Sequence, residues 1–333
     1  MEGIQWQVSL SDQDTITLNI GDYTSIFNEY ETLEEAWLNG IFHFFQKRKS
    51  STQDVKIIDV NNDEVLSSKA YTAFMITNET IENEHALSAS SLLCKSLSRR
   101  LKNDFEVAGY YHSINQLLED LLDRINDDLP LKLKPYDEKL FLKQLMFDYE
   151  LTEDYSRRIH RILKVLPLLI NEMNQISNNR TLLIYMYPEA NLSVKEQRLL
   201  KDFLNDLDLP IIVLTGSIHF LADSLNAMNY LKNDKQILTQ SFIDTLVWDA
   251  PINFTEDDIK HSLTQFLNQY HEKFELNPTI SNYALNDIML FTDCDIYTGI
   301  QFLRYCRHPF ALDLDYDKLP SPLACYIKDI YKG

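Results

Sequence analysis

Apolar and polar residues first alternate with the period of strands. Gln5 to Leu10 and Thr15 to Ile20 do so around Ser11-Asp12-Gln13-Asp14, which predicts a hairpin. Val55 to Val60 and Tyr71 to Ile76 read as two further strands. Between these pairs, the spacing of Phe27, Tyr30, Leu33, Trp37, Ile41 and Phe44 predicts a helix from Ser25 to Lys47. From about Ala86 the period changes. Ser88 to Leu101, Ile114 to Ile125, Pro135 to Met146 and Asp154 to Ile176 read as helices, interrupted at Asn126-Asp127-Asp128-Leu129-Pro130. Pro167 is expected to kink the last of them.

The stretch from Arg180 to Gln240 organises the chain. Thr181 to Tyr187 has strand composition. Ser193 stands three residues before Glu196, the spacing of a capping box, and Leu200, Phe203, Leu204 and Leu207 share one helix face. Ile211 to Thr215 reads as a second buried strand and Gln236 to Thr239 as a third. Strand, helix, strand predicts a βαβ unit and a parallel sheet. Helices are expected at Phe242 to Trp248, Thr255 to Phe274 and Tyr283 to Arg307, with a break near Asp293-Cys294-Asp295. The tail is aromatic, with Tyr297, Phe302, Tyr305 and Tyr326 suited to packing on the rest of the chain or to a subunit interface. The fold class expected is α/β: an NTPase-like head with a mostly parallel sheet, a helical leg and a helical C-terminal extension. Its divisions are 1–88 and 177–240 for the head, 89–176 for the leg and 241–333 for the extension.

With 333 residues, 45% of them hydrophobic, the chain can bury a sizeable core. The N-terminus lacks the pattern of a signal peptide, no apolar run approaches a membrane span of ~20 residues, and the four cysteines form no CxxC pair. A soluble cytoplasmic protein with reduced thiols is expected, with no membrane partner. The net charge of −19 opposes nucleic-acid binding by the chain as a whole, although a fold can segregate its charges. The first βα turn, Tyr187-Pro188-Glu189-Ala190-Asn191, has no glycine. There Glu189 would repel a phosphate and Pro188 removes an amide donor. The second turn, Thr215-Gly216-Ser217, has one glycine and no lysine, so no nucleotide is expected. Zinc spacing and a nucleophile elbow are both missing.

Two kinds of charged cluster remain. Asp127, Asp128, Asp137 and Glu138 bracket a short loop and are candidate ligands for a hard cation. Basic residues gather at Lys47-Arg48-Lys49, at Arg99-Arg100 flanked by Lys95 and Lys102, and at Arg157, Arg158, Arg161 and Lys164. Arg157, Arg161 and Lys164 recur at i, i+4, i+7, opposite Ile159, Ile162, Leu163 and Leu166. Such clusters suit either a face for a polyanion or solvated helix faces paired with nearby acids.

In its succession of elements from residue 5 to 240, the chain resembles a known family. These are the ring-forming, DNA-end-binding proteins of type II-A CRISPR adaptation, in their long form. The resemblance rests on the N-terminal hairpin, the strands Val55 to Val60 and Tyr71 to Ile76, and the helical block with Tyr136-Asp137-Glu138 after a break. It continues through the amphipathic helix Arg158 to Ile176 running into Arg180-Thr181-Leu182-Leu183-Ile184-Tyr185, then the helix Ser193 to Leu207 and the strand Pro210 to Leu214. It implies a homotetrameric ring without catalytic activity, whose basic lumen holds double-stranded DNA ends. Ca2+ would support the ring, with Asp137 and Glu138 as ligands and Asp127 and Asp128 beside them. The CRISPR integrase and guide-RNA nuclease of the same locus would be its partners in spacer acquisition. One departure stands out: short-form relatives carry several lysines before the strand that begins here at Thr181, where this chain has Asn178-Asn179-Arg180. Two alternatives stay open, a divergent metal-dependent nuclease or NTPase on the α/β core, and a scaffold that touches no DNA.

Overall fold

The computed structural model describes residues 4–10, 15–28, 34–46, 55–125, 131–148, 157–232, 235–270, 279–282 and 292–331. The chain divides into two compact units, one of residues 1–75 and 182–333, the other of residues 76–181. Among the described residues no helix is long and apolar enough to cross a membrane.

The first unit is built on two main sheets and also holds a short parallel pair, Thr279–Ser281 with Ala311–Asp313. β1 (Ile4–Ser9) and β2 (Thr15–Ile20) form the expected antiparallel pair, and β4 (Lys56–Asp59) and β5 (Glu64–Val65) extend it in the order β2-β1-β4-β5. The larger sheet contains β3 (Tyr23–Asn28), β6 (Tyr71–Ile76), β7 (Arg180–Met186), β8 (Ile211–Thr215), β9 (Met228–Lys232) and β10 (Lys235–Gln236), in the order β10-β9-β3-β8-β7-β6. β7 and β8 run parallel on either side of the helix α7 (Val194–Asn205) in sequence, so the βαβ unit is as expected. The Glu196 carboxylate accepts from the Ser193 N–H at 2.9 Å and hydroxyl at 2.6 Å, closing the start of α7. Both β8 and β9 pair in parallel with β3.

Two expectations fail here. Residues 25–28 belong to β3 and not to a helix; the helix α1 begins at Glu34 and ends at Phe45. Thr24, Ser25, Ile26 and Phe27 are all buried, as a central strand covered on both faces requires, and the helical spacing of Phe27 with later aromatics was incidental. The third strand of the nucleus is β9, not Gln236 to Thr239, and the two-residue β10 turns back antiparallel to it. The register of β3 then divides two cores. Ile26 packs with Trp6, Trp37, Ile41 and Phe45, whereas Phe27 packs with Met228, Tyr230, Phe266, Tyr297 and Phe302 of the C-terminal region. The latter region holds α8 (Gln240–Trp248), α9 (Glu256–Gln265), α10 (Asp293–Tyr305) and α11 (Ser321–Tyr331). α10 starts at Asp293-Cys294-Asp295, where Thr292 and Asp295 form a capping box, and the stretch from Tyr283 to Phe291 lies outside the described residues.

The smaller sheet is tied to the larger one by amides. The Asn229 side chain accepts from the Asn19 N–H at 2.7 Å and donates to the Asn19 carbonyl at 2.9 Å, copying a strand pairing with side-chain atoms. Asn19 in turn donates to the carbonyls of Leu225, Met228 and Leu238.

The second unit holds five helices among its described residues: α2 (Asn78–His85), α3 (Leu92–Asn103), α4 (Phe105–Ile125), α5 (Glu138–Gln144) and α6 (Arg158–Ile176). α2, which the sequence pattern did not reveal, starts at a capping box of Thr77 and Thr80. Its buried Glu84 accepts from the N–H groups of Leu92 at 2.7 Å and Leu93 at 2.8 Å, so one helix caps the next. α6 continues through Pro167 and buries Ile159, Ile162, Leu166, Leu169, Ile170 and Met173.

Candidate nucleic-acid interface

Charge is unevenly shared between the units. Residues 76–181 carry 14 of the 31 Lys and Arg and 17 of the 50 Asp and Glu, which leaves a net −3 there and −16 on the rest. Within them, α3 bears Lys95, Arg99, Arg100 and Lys102 and no acid, and the first half of α6 bears Arg158, Arg161 and Lys164, with Arg157 preceding. The two helices pack against each other, so both clusters belong to one body. The cluster Lys47-Arg48-Lys49 lies outside the described residues, as do Asp127 and Asp128.

A carboxylate from a neighbouring helix holds each basic cluster. Glu82 of α2 receives Arg161 through Nε, at 3.2 and 2.9 Å to its two oxygens, and through Nη2 at 2.8 Å. The Arg158 Nε stands 3.3 Å from the same carboxylate. Glu172 of α6, itself buried, accepts from the Ser96 hydroxyl at 2.5 Å and from Arg100. Glu138 of α5 accepts from the Ser98 hydroxyl and lies 3.7 Å from the Lys102 ammonium. Two readings were open for Arg157, Arg161 and Lys164, a face for a polyanion and a solvated helix face paired with nearby acids, and the structure pairs Arg161 with Glu82. Arg161 is only 20% exposed in its side chain and joins α6 to α2, whereas Lys164 and the N-terminal Arg157 are exposed. Leu163 is half-buried, and Val165 takes a place in the core instead. Arg99 and Lys164 make no ion pair among the described residues and project into solvent. Lys95 is exposed and reaches the Ser90 carbonyl at 2.5 Å.

Among the described residues, the acidic candidates Asp137 and Glu138 do not assemble a cation site. Asp137 caps α5, its Oδ1 accepting from the Leu140 N–H at 3.0 Å, and Glu138 is held by Ser98 and Lys102. Calcium takes six to eight oxygens. Among the described residues no three of His, Cys, Asp and Glu gather around a point that could hold a metal ion. One capping carboxylate and one ion-paired carboxylate do not fit calcium by themselves. Close by, the Tyr111 hydroxyl is buried without a hydrogen-bond partner among the described residues, and its pKa is pushed up by burial and then by the Glu138 charge.

At the sheet, the place where an NTPase would hold phosphate is filled. Glu189, in the turn after β7, accepts from the Gly216 N–H at 2.7 Å and from the Thr215 hydroxyl at 2.8 Å. The amide that the second βα turn could offer to an anion is thus occupied by the protein's own carboxylate. Burial raises the Glu189 pKa, and the bonds from Gly216 and Thr215 offset part of that rise. The turn bends without glycine, holding Tyr187 at φ 49° and Asn191 at φ 60°. Sequence reasoning named Glu189 as hostile to phosphate; its bond to a turn 27 residues away had no local signal.

No family model matches the chain, and no curated protein matches it either. Among solved structures it is similar to the crystal structure of Stu0660 of Streptococcus thermophilus, at 14% identity and a TM-score of 0.53, over 99% of this chain and 100% of that one. At that identity the likeness concerns the fold.

Proposed function

We propose that this protein binds the ends of double-stranded DNA without catalysis, as a homotetrameric ring accessory to CRISPR spacer acquisition, beside the integrase and guide-RNA nuclease of its locus. The observation that supports the reading best is the packing of α3 on α6. It gathers Lys95, Arg99, Arg100, Lys102, Arg157, Arg158, Arg161 and Lys164 in the unit that carries little of the chain's net negative charge. Phosphate neutralisation by such residues needs no base reading and is independent of sequence. The carboxylates Glu82, Glu138 and Glu172 hold several of these cations in place, as positioned side chains need. Self-association is supported by α4, which buries no residue and exposes Tyr110, Leu117, Leu121 and Ile125 at i, i+7, i+11 and i+15, a single apolar stripe. A symmetric assembly would present the basic face several times to one duplex.

The test is duplex binding by fluorescence anisotropy across a salt series, with a linear fragment and a covalently closed circle of the same sequence, alongside solution mass. Linear duplex should bind with a steep salt slope, the circle should bind far more weakly, and the mass should be that of four chains. Equal affinity for circle and linear fragment, or no binding at low salt, would overturn the reading.

A further inference from the structure

A cavity of about 270 Å³ opens between α3 and α5, inside the second unit. Four lysines stand around it. Lys95 and Lys102 are at i and i+7 on α3, and Lys139 and Lys143 at i and i+4 on α5, so helical periodicity turns each pair to one side. The floor is apolar, formed by Leu87, Ala89, Cys94 and Leu142, of which Cys94 and Leu142 are buried. Of the lining residues Glu138 is the one acid, and it is already engaged by Ser98 and Lys102. Lys139 and Lys143 make no ion pair among the described residues and are exposed. The lining therefore carries a formal surplus of three positive charges above an apolar floor.

That combination selects a ligand class. A phosphate diester inside a strand carries one negative charge, whereas a phosphate monoester carries about −1.5 to −2 at neutral pH. Lysine serves phosphate as a point charge from several directions, which lysines on two packed helices provide. The volume lies just below the usual range of ligand pockets, roughly 300 to 1,000 Å³, and suits one nucleotide more than a longer oligomer. A bare phosphate would leave the apolar floor unused; a sugar and base would cover it.

We propose that this cavity binds the phosphate monoester of a single nucleotide, either a free mononucleotide or the 5′-phosphorylated terminal residue of a DNA strand. The strand-end source rests on the duplex binding proposed above; the free-nucleotide source does not.

The experiment uses the full chain. In one arm, dAMP and deoxyadenosine are titrated by calorimetry. In the other, one linear duplex is compared with 5′-phosphate or 5′-hydroxyl ends. Both arms are repeated on K139A/K143A, with circular dichroism to confirm folding. Binding of dAMP but not of deoxyadenosine, about tenfold or more weaker in the variant, upholds the site, as does a preference for phosphorylated ends that the variant loses. The wild-type comparisons stand even if the variant fails to fold. Duplex binding indifferent to the 5′-phosphate, together with no dAMP binding, would overturn this inference and leave the DNA reading intact. Binding of dAMP without any duplex binding would keep the cavity as a nucleotide site and remove the DNA reading.

Discussion

Arg161→Ala and Lys164→Ala, three residues apart on α6, should separate stability from charge. Arg161 donates three N–H···O bonds to Glu82 within 3.2 Å, and the two side chains are 20% and 26% exposed. Exposed ion pairs contribute about 0–1 kcal/mol, and hydrogen bonds to charged groups about 1.5–3 kcal/mol. Arg158 stays near Glu82 after the change and compensates part of its charge. The loss for Arg161→Ala is then about 1–2 kcal/mol, whereas Lys164→Ala on an exposed face should stay within ~0.5 kcal/mol. The probe matters. Trp6, Trp37 and Trp248 all belong to the first unit, so tryptophan fluorescence does not see α6. Far-ultraviolet circular dichroism does, because α2 to α6 are helices. With a urea m-value of about 1–2 kcal/mol/M for a segment of this size, Arg161→Ala should lower the midpoint of the helical transition by about 1 M. Glu82→Gln should cost a similar amount, and the double change less than the sum of the two. Lys164→Ala should leave the midpoint alone and reduce the salt slope of duplex binding by ~0.9 for each phosphate that the lysine neutralises. An unchanged midpoint in Arg161→Ala, or an equal fall in Lys164→Ala, would refute the assignment of Arg161 to a structural ion pair.

Four further outcomes are expected. Because burial raises the Glu189 pKa, its protonated form favours the fold below the ordinary carboxylate range. That contribution is lost as pH rises through the folded pKa, so Glu189→Gln should flatten the stability–pH curve there. Glu189→Ala strands the Gly216 N–H and should cost about 1–3 kcal/mol, read by tryptophan fluorescence in urea. Asn229→Ala removes the partners of both Asn19 backbone groups and should lower the same transition by about 2–3 kcal/mol. A Cβ at Gly299 would stand 2.6 Å from the Phe266 ring, so Gly299→Ala should destabilise by about 1–3 kcal/mol in thermal or urea melts.

Much of the fold was legible along the chain, because it is written in local periods. The β1–β2 alternation, the capping spacing of Ser193 and Glu196, and the buried runs of β7 and β8 each specify an element from a few neighbouring residues. β3 escaped this logic. Its buried Thr24 and Ser25 carry no alternation, and its place between β8 and β9 is decided by strands far along the chain, at Ile211–Thr215 and Met228–Lys232. The basic clusters were likewise visible as residue types at helical spacing. Their partners were not: Glu82 lies 79 residues from Arg161, and Glu172 lies 72 from Arg100. The convergence of Lys95 and Lys102 with Lys139 and Lys143 has the same origin, since α3 and α5 meet only in the folded unit. A helix period tells which side of a helix a charge occupies. Whether that side meets solvent, a carboxylate or a cavity depends on which other helix packs there, and only the tertiary structure decides that.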